Sequence, residues 1–188
     1  GHKETLRQAL KCQQNALKVY SKSRTPARWA EVMSSFARTA QVFGEHVKSL
    51  EAMATAANAY QAILQVRDRK RGPLIWAATQ NNLGSALFWL GKKAQSPDRI
   101  KAAIDAFEAA LEVYELRRKY PQAAVTGKNL DRARDLLEQM VPKNYLPREF
   151  TDYDGPLNDN SGSNPVSVSD IGVVRSGGSV VHQIRPES

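Results

Sequence analysis

The chain has 188 residues, 41% of them apolar and 24% charged, and its 27 Lys and Arg outnumber its 19 Asp and Glu for a net charge of +8. That length holds one sizeable domain plus an appendage. The single cysteine excludes an internal disulfide framework, and no apolar run reaches the roughly 20 residues that a membrane-spanning helix needs.

Gly1-His2 reads as the remainder of a cleaved tag, so the ordered sequence is taken from residue 3. Apolar residues then recur at i, i+3, i+4 and i+7 or i+8, the stripe of a half-buried helix. This spacing predicts six helices in chain order, over 3–20, 27–43, 49–69, 74–91, 97–119 and 122–141. Prolines 26, 73 and 121 fall where a first helical turn begins, and Gly44 and Gly91 fall where helix C-caps are expected. The elements also echo one another. Pro26-Ala-Arg-Trp29-Ala30 returns as Pro73-Leu-Ile-Trp76-Ala77, 47 positions later, and Ala37, Ala56 and Tyr60 return as Gly84, Ala103 and Phe107. A fixed period of that length signals stacked, near-identical units.

The best unit reads Gln80-Asn-Asn-Leu83-Gly84-Ser-Ala-Leu87, then Ala103-Ile-Asp-Ala-Phe107-Glu-Ala-Ala110, with Pro121 closing it. On these residues the chain resembles the tetratricopeptide repeat family over residues 3–141. The period exceeds the family's usual unit of about 34 residues. In this length and in its Pro-x-x-Trp-Ala helix start, it resembles a bacterial subgroup. The resemblance implies an all-α, right-handed solenoid of helix pairs, A then B. Gly84 and Ala103 are expected to let two helix backbones approach, with Leu83, Leu87 and Phe107 filling the space around them. The array begins at a B helix, which suggests a piece of a longer protein. It also changes in its last copy, where Asp131 stands in the Gly84 slot and Ala123 in the Trp76 slot, so 122–141 is expected to act as a cap.

In that family the A helices line a concave groove that holds a peptide. Carried over by slot, its outward residues are Glu31, Ser34, Arg38 and Gln41, then Ala78, Asn81, Ser85, Phe88 and Trp89, then Lys128, Arg132 and Asp135. The candidate contacts are Arg38, Gln41, Asn81, Asn82, Ser85, Trp89, Lys128 and Arg132. The asparagines offer donors and acceptors to a peptide backbone, the cations meet carboxylates, and Trp89 receives a large apolar side chain. Asn81 and Asn82 have the alternative of bonding neighbouring turns. The family's carboxylate clamp is not reproduced, only Lys128 and Asn129 being compatible with it. Trp29 and Trp76, at equivalent positions, are read as helix-start packing, and Cys12 as a packing residue in an apolar slot.

Residues 1–141 carry 23 Lys and Arg against 13 Asp and Glu. The cations gather at the B-to-A turns: Lys22, Arg24 and Arg28; Arg67, Arg69, Lys70 and Arg71; Arg117, Arg118 and Lys119. In a solenoid these turns stack into one basic edge, attractive to an anionic polymer or surface, although helix C-termini favour cations in any case. Too few aromatic residues stand among them for nucleic-acid binding to be expected.

The composition changes at Pro142, and no helical stripe follows. Two Val-rich runs flank Gly177-Gly178, which suggests a β-hairpin over 166–184 within an extended tail of 142–188; such a hairpin either docks elsewhere or belongs to a flexible linker. The acidic Asp152-Tyr-Asp154 stretch suits the basic groove, in the same molecule or in another copy. His2, His46 and His182 lie in the tag remainder, an inter-helix turn and the tail without metal-ligand spacing. Ser176-Gly-Gly-Ser lacks the Lys and helix of a phosphate loop. No catalytic residue, metal or cofactor is therefore expected. The function expected is protein–protein interaction, through peptide binding or assembly, with a structural or regulatory arm of a larger enzyme or signalling protein as the alternative. The default location is cytoplasmic.

Overall fold

The computed structural model describes residues 1–141, which form six α-helices and no strand. These are α1 (His2–Val19), α2 (Pro26–Val47), α3 (Leu50–Leu64), α4 (Pro73–Ala94), α5 (Pro97–Leu116) and α6 (Tyr120–Met140). The expected hairpin over 166–184 and the Asp152-Tyr-Asp154 stretch lie outside the described residues. Pro26, Pro73 and Pro97 open helices at N1, where the missing N–H has no intrahelical partner to lose. Only Lys48 and Ser49 separate α2 from α3, and only Gln95 and Ser96 separate α4 from α5. Connections that short force the joined helices to run antiparallel. Each helix packs on its neighbours in sequence, with α4 also reaching α6.

The helix ends correct the sequence reading. Gly44 and Gly91 do not cap; α2 runs on to Val47 and α4 to Ala94. The left-handed cap is taken by Lys48 (φ 55°) and Gln95 (φ 49°). The Gly44 carbonyl then accepts from the N–H groups of Lys48 and Ser49, and the Gly91 carbonyl accepts from those of Gln95 and Ser96. Ser49 and Ser96 start the next helices, their Oγ atoms accepting from the backbone N–H of Ala52 at 3.2 Å and Arg99 at 3.4 Å. The glycines serve packing instead. A methyl group on Gly91 would lie 2.6 Å from Ile100 Cδ1, and one on Gly44 3.1 Å from the Met53 backbone nitrogen.

The B helices end earlier than the stripe suggests, at Leu64 and Leu116 rather than at 69 and 119. After α3, the Asp68 carboxylate accepts from the N–H groups of Lys70 (2.6 Å) and Arg71 (3.2 Å), a local turn that competes with the helix. After α5, Arg118 adopts φ 54° and the Lys119 N–H donates to the Tyr114 carbonyl at 2.7 Å. His46 belongs to the last turn of α2, not to an inter-helix turn.

The 47-residue echo reappears as burial. Ala56 and Ala103 are fully buried, as are Tyr60 and Phe107, and Ala30 pairs with Ala77. Alanines let the helices approach while Met53, Tyr60, Ile63, Ile100 and Phe107 fill the space between them. Gly84 behaves as expected, since a methyl group there would sit 2.7 Å from the Phe107 ring and 3.1 Å from the Ala103 carbonyl.

The echo fails at both ends. Cys12 is exposed, although its counterparts Ala59 and Ala106 are buried. α3 and α5 each pack on the helices before and after them, whereas α1 packs chiefly on α2 and buries no residue fully. In α6, Asp131 and Glu138 take the slots of Gly84 and Gly91 and are exposed, so this helix turns a polar face outward.

Candidate functional site

The A-type helices α2, α4 and α6 carry matching slots 47 residues apart. Arg38, Ser85 and Arg132 form one series, and Ser35, Asn82 and Asn129 form a second. The B-type helices supply the floor from a third series, Gln13, Tyr60 and Phe107. Two clefts occur where these series meet.

The first has a volume of about 190 Å³ and is lined by Glu45, Ser85, Phe88, Trp89, Phe107, Asn129 and Arg132. It adjoins a second hollow of about 210 Å³ that shares Phe88 and Arg132 and extends along α6 past Asp135 to Gln139. Each alone is smaller than the about 300–1,000 Å³ of small-molecule sites and has room for a single side chain. The interior is aromatic and the rim polar. Trp89 is half-buried, with Lys93 Nζ 6.0 Å from its ring centroid. Ser85 Oγ donates to the Asn81 carbonyl at 3.0 Å. Arg132 is exposed and makes no ion pair among the described residues.

The second cleft repeats the first two units earlier. Its lining includes Gln13, Ser35 and Arg38, 94 residues before Phe107, Asn129 and Arg132, together with Leu6, Thr39 and Val42. Gln13 Nε2 donates to Thr39 Oγ1 at 3.1 Å, while Gln13 Oε1 is buried without a hydrogen-bond partner. A polar Gln thus stands where the inner repeats place an aromatic ring.

The remaining groove candidates are dispersed. Gln41 is engaged inside the fold, accepting from the Tyr60 hydroxyl at 3.1 Å and donating to Glu45 Oε1 at 3.1 Å. Burial raises the Tyr60 pKa well above its ordinary value; Arg38 opposes that shift and Glu45 reinforces it. Asn81 Oδ1 accepts from Thr126 Oγ1 at 3.1 Å, tying α4 to α6 in the manner of a structural asparagine. Asn82 is half-buried, and Lys128, though exposed, lines neither cleft. Structure therefore brings together Ser85, Trp89 and Arg132, places Arg38 in the equivalent cleft, engages Gln41 with Tyr60 and Glu45, and puts Asn81 in a separate hollow of about 290 Å³ with Tyr114, Gln122 and Thr126. Glu45, Asn129 and the Phe107 floor complete the site. Their signal was the 47-residue register, which puts Asn129 in the slot of Asn82.

Along the turns, Arg67 leaves the expected basic edge. Its Nη1 donates to the Oγ1 of buried Thr79 at 2.7 Å, and burial lowers its pKa. Arg69 pairs with Glu112 at 2.6 Å and lies 5.1 Å above the Trp76 ring. Lys70, Arg71, Arg117, Arg118 and Lys119 are exposed and make no ion pair among the described residues. Trp29 is buried and Trp76 half-buried. The His2 and His46 rings meet edge to face with centroids 5.6 Å apart, and no group of His, Cys, Asp and Glu among the described residues could hold a metal ion. No described helix is long and apolar enough to cross a membrane. No known protein family, curated protein or solved structure matches the chain.

Proposed function

We propose that residues 3–141 form a right-handed tetratricopeptide-like solenoid, closed by α6, that binds a peptide segment of a protein partner along the face shared by α2, α4 and α6. The observation that carries this reading is the convergence of Ser85, Trp89 and Arg132 around a cleft floored by Phe107. One apolar side chain enters between Phe88 and Trp89, backbone amides meet Ser85 and Asn129, and a neighbouring carboxylate meets Arg132. The cleft of Arg38 and Gln13 offers a second seat, where a ligand N–H satisfies the unpartnered Gln13 Oε1.

A positional-scanning library of end-blocked hexapeptides tests the reading by fluorescence anisotropy on the full chain. Enrichment of an aromatic or large aliphatic residue beside Asp or Glu is expected. Trp89→Ala and Arg132→Ala should each weaken the selected peptide about tenfold or more, as truncation of a central anchor does. Lys70→Gln with Arg71→Gln should leave its affinity unchanged. Absence of enrichment, or loss confined to the Lys70 and Arg71 variant, would refute peptide binding at this face.

A further inference from the structure

Nine large hydrophobic residues are exposed among the described residues, and their distribution is uneven. Seven of them fall in the three B-to-A turn regions, 18–28, 65–76 and 115–125. Val19 is 76% exposed, Ile75 56%, Leu116 74% and Tyr120 68%, and Leu74 and Val125 are exposed as well. The same three regions hold 11 of the 23 Lys and Arg of residues 1–141, but only 2 of the 13 Asp and Glu. They also stand side by side. Lys22 Nζ donates to Gln65 Oε1, linking the first turn to the second, and Arg69 pairs with Glu112 near the end of α5, linking the second to the third.

We infer that this edge is a docking surface for an anionic lipid bilayer, lying on the headgroup layer with its apolar side chains inserted. Two properties occur together at each region, and each has its own counterpart in a bilayer. Lys22 and Arg24, then Lys70 and Arg71, then Arg117, Arg118 and Lys119 meet lipid phosphates and carboxylates. Val19, Leu74, Ile75 and Leu116 enter the acyl boundary between them, and Tyr20 and Tyr120 suit the interface itself. A purely electrostatic site on nucleic acid would leave these aliphatic side chains in water without a role. Exposed apolar side chains on a soluble face favour self-association, and their concentration among cations calls for a partner that is both apolar and anionic. None of these residues lines the two peptide clefts.

Sedimentation of the full chain with vesicles is the test, using phosphatidylcholine with phosphatidylglycerol at 3:1 and phosphatidylcholine alone. Binding is expected to the first and not to the second. Replacing Arg117, Arg118 and Lys119 together by Gln should lower partitioning between about tenfold and a hundredfold, because each cation near the surface contributes separately. Ile75→Ser with Leu116→Ser, which leaves the charge unchanged, should lower it about tenfold. All five positions are exposed, so circular dichroism melting should report an intact fold in both variants. Equal or absent binding to the two vesicle types would overturn the inference. So would wild-type vesicle binding by the Ser variant together with full competition by a 20-base-pair DNA duplex, which would assign the edge to a general polyanion.

Discussion

Gly84→Ala should destabilise the helical array even though alanine is the better helix former. The added methyl carbon would lie 2.7 and 2.8 Å from two carbons of the Phe107 ring, against about 3.5–4.0 Å for carbons in good contact. Phe107 is 1% exposed and packs in one cluster with Ile100, Leu130 and Ala133, so its ring can yield only toward the cleft it floors and only by giving up those contacts. The Ala103 carbonyl, 3.1 Å from the same point, also resists movement of the two backbones apart. Overpacking of this kind costs about 1–3 kcal/mol, and the overlap with both ring and backbone places it toward the upper end. Exchange of Gly for Ala inside a helix returns about 1 kcal/mol. The net loss is about 1–2 kcal/mol, which lowers the melting temperature by about 3–8 °C for a unit of this size. Thermal unfolding followed at 222 nm measures it, with Gly127→Ala as the control. A methyl group on Gly127 meets nothing within 4 Å, so that variant should gain about 0.5–1 kcal/mol. Phe107→Leu in the Gly84→Ala background should show a coupling of about 1 kcal/mol, because the two substitutions share one contact. Equal stabilisation by both Gly variants would refute the close approach of α4 and α5.

Lys48→Gly should stabilise the chain by about 0.5–1 kcal/mol in a thermal melt, since φ 55° suits glycine and the exposed Lys side chain makes no hydrogen bond or ion pair among the described residues. The Tyr60 phenol has a folded pKa raised by burial. Its contribution to stability is therefore complete below the ordinary tyrosine pKa and is lost as pH rises from there toward the folded value. Absorbance at 295 nm should show Tyr60 ionising only with unfolding, and Tyr60→Phe should flatten the alkaline loss of stability. Asp68 behaves oppositely, because the Lys70 and Arg71 N–H groups, aided by those residues' charges, hold its pKa below the usual carboxylate range. The turn it organises should stay ordered above that range and loosen as pH falls through the depressed value; amide shifts of residues 68–71 during an acid titration report it.

Period and punctuation made most of the fold legible because both record packing. A slot that is Ala56 in one unit and Ala103 in the next marks one close approach repeated, and both prove fully buried. Gly44 and Gly91 are ambiguous in sequence because glycine answers two needs, a left-handed φ and the lack of a side chain, with the same letter. Only the position of the next helix shows that the second applies. Cys12 shares its slot with Ala59 and Ala106 but not their surroundings, since α3 and α5 have a helix packed on either side and α1 packs chiefly on α2. Among the functional candidates, the register puts Ser85 and Arg132 in one series, and the structure seats both with Trp89 around one cleft. Gln41 and Asn81 occupy outward slots as well, but their amide groups meet Tyr60 and Thr126 on other helices, contacts at separations of 19 and 45 residues that no local pattern announces. Arg67 looked like one more member of a basic run until Thr79, a turn and a half into α4, drew it inward.

Chemical-shift mapping of the 15N-labelled full chain with the selected hexapeptide tests peptide binding most directly. Saturable shifts are expected at Ser85, Asn129 and Arg132 and at the Trp89 indole N–H, with smaller ones at Gln13 and Arg38, and Arg132→Ala should move those of the remaining residues to about tenfold higher peptide concentration or beyond. Shifts confined to residues 65–76 and 115–125, or none at any peptide concentration, would contradict it.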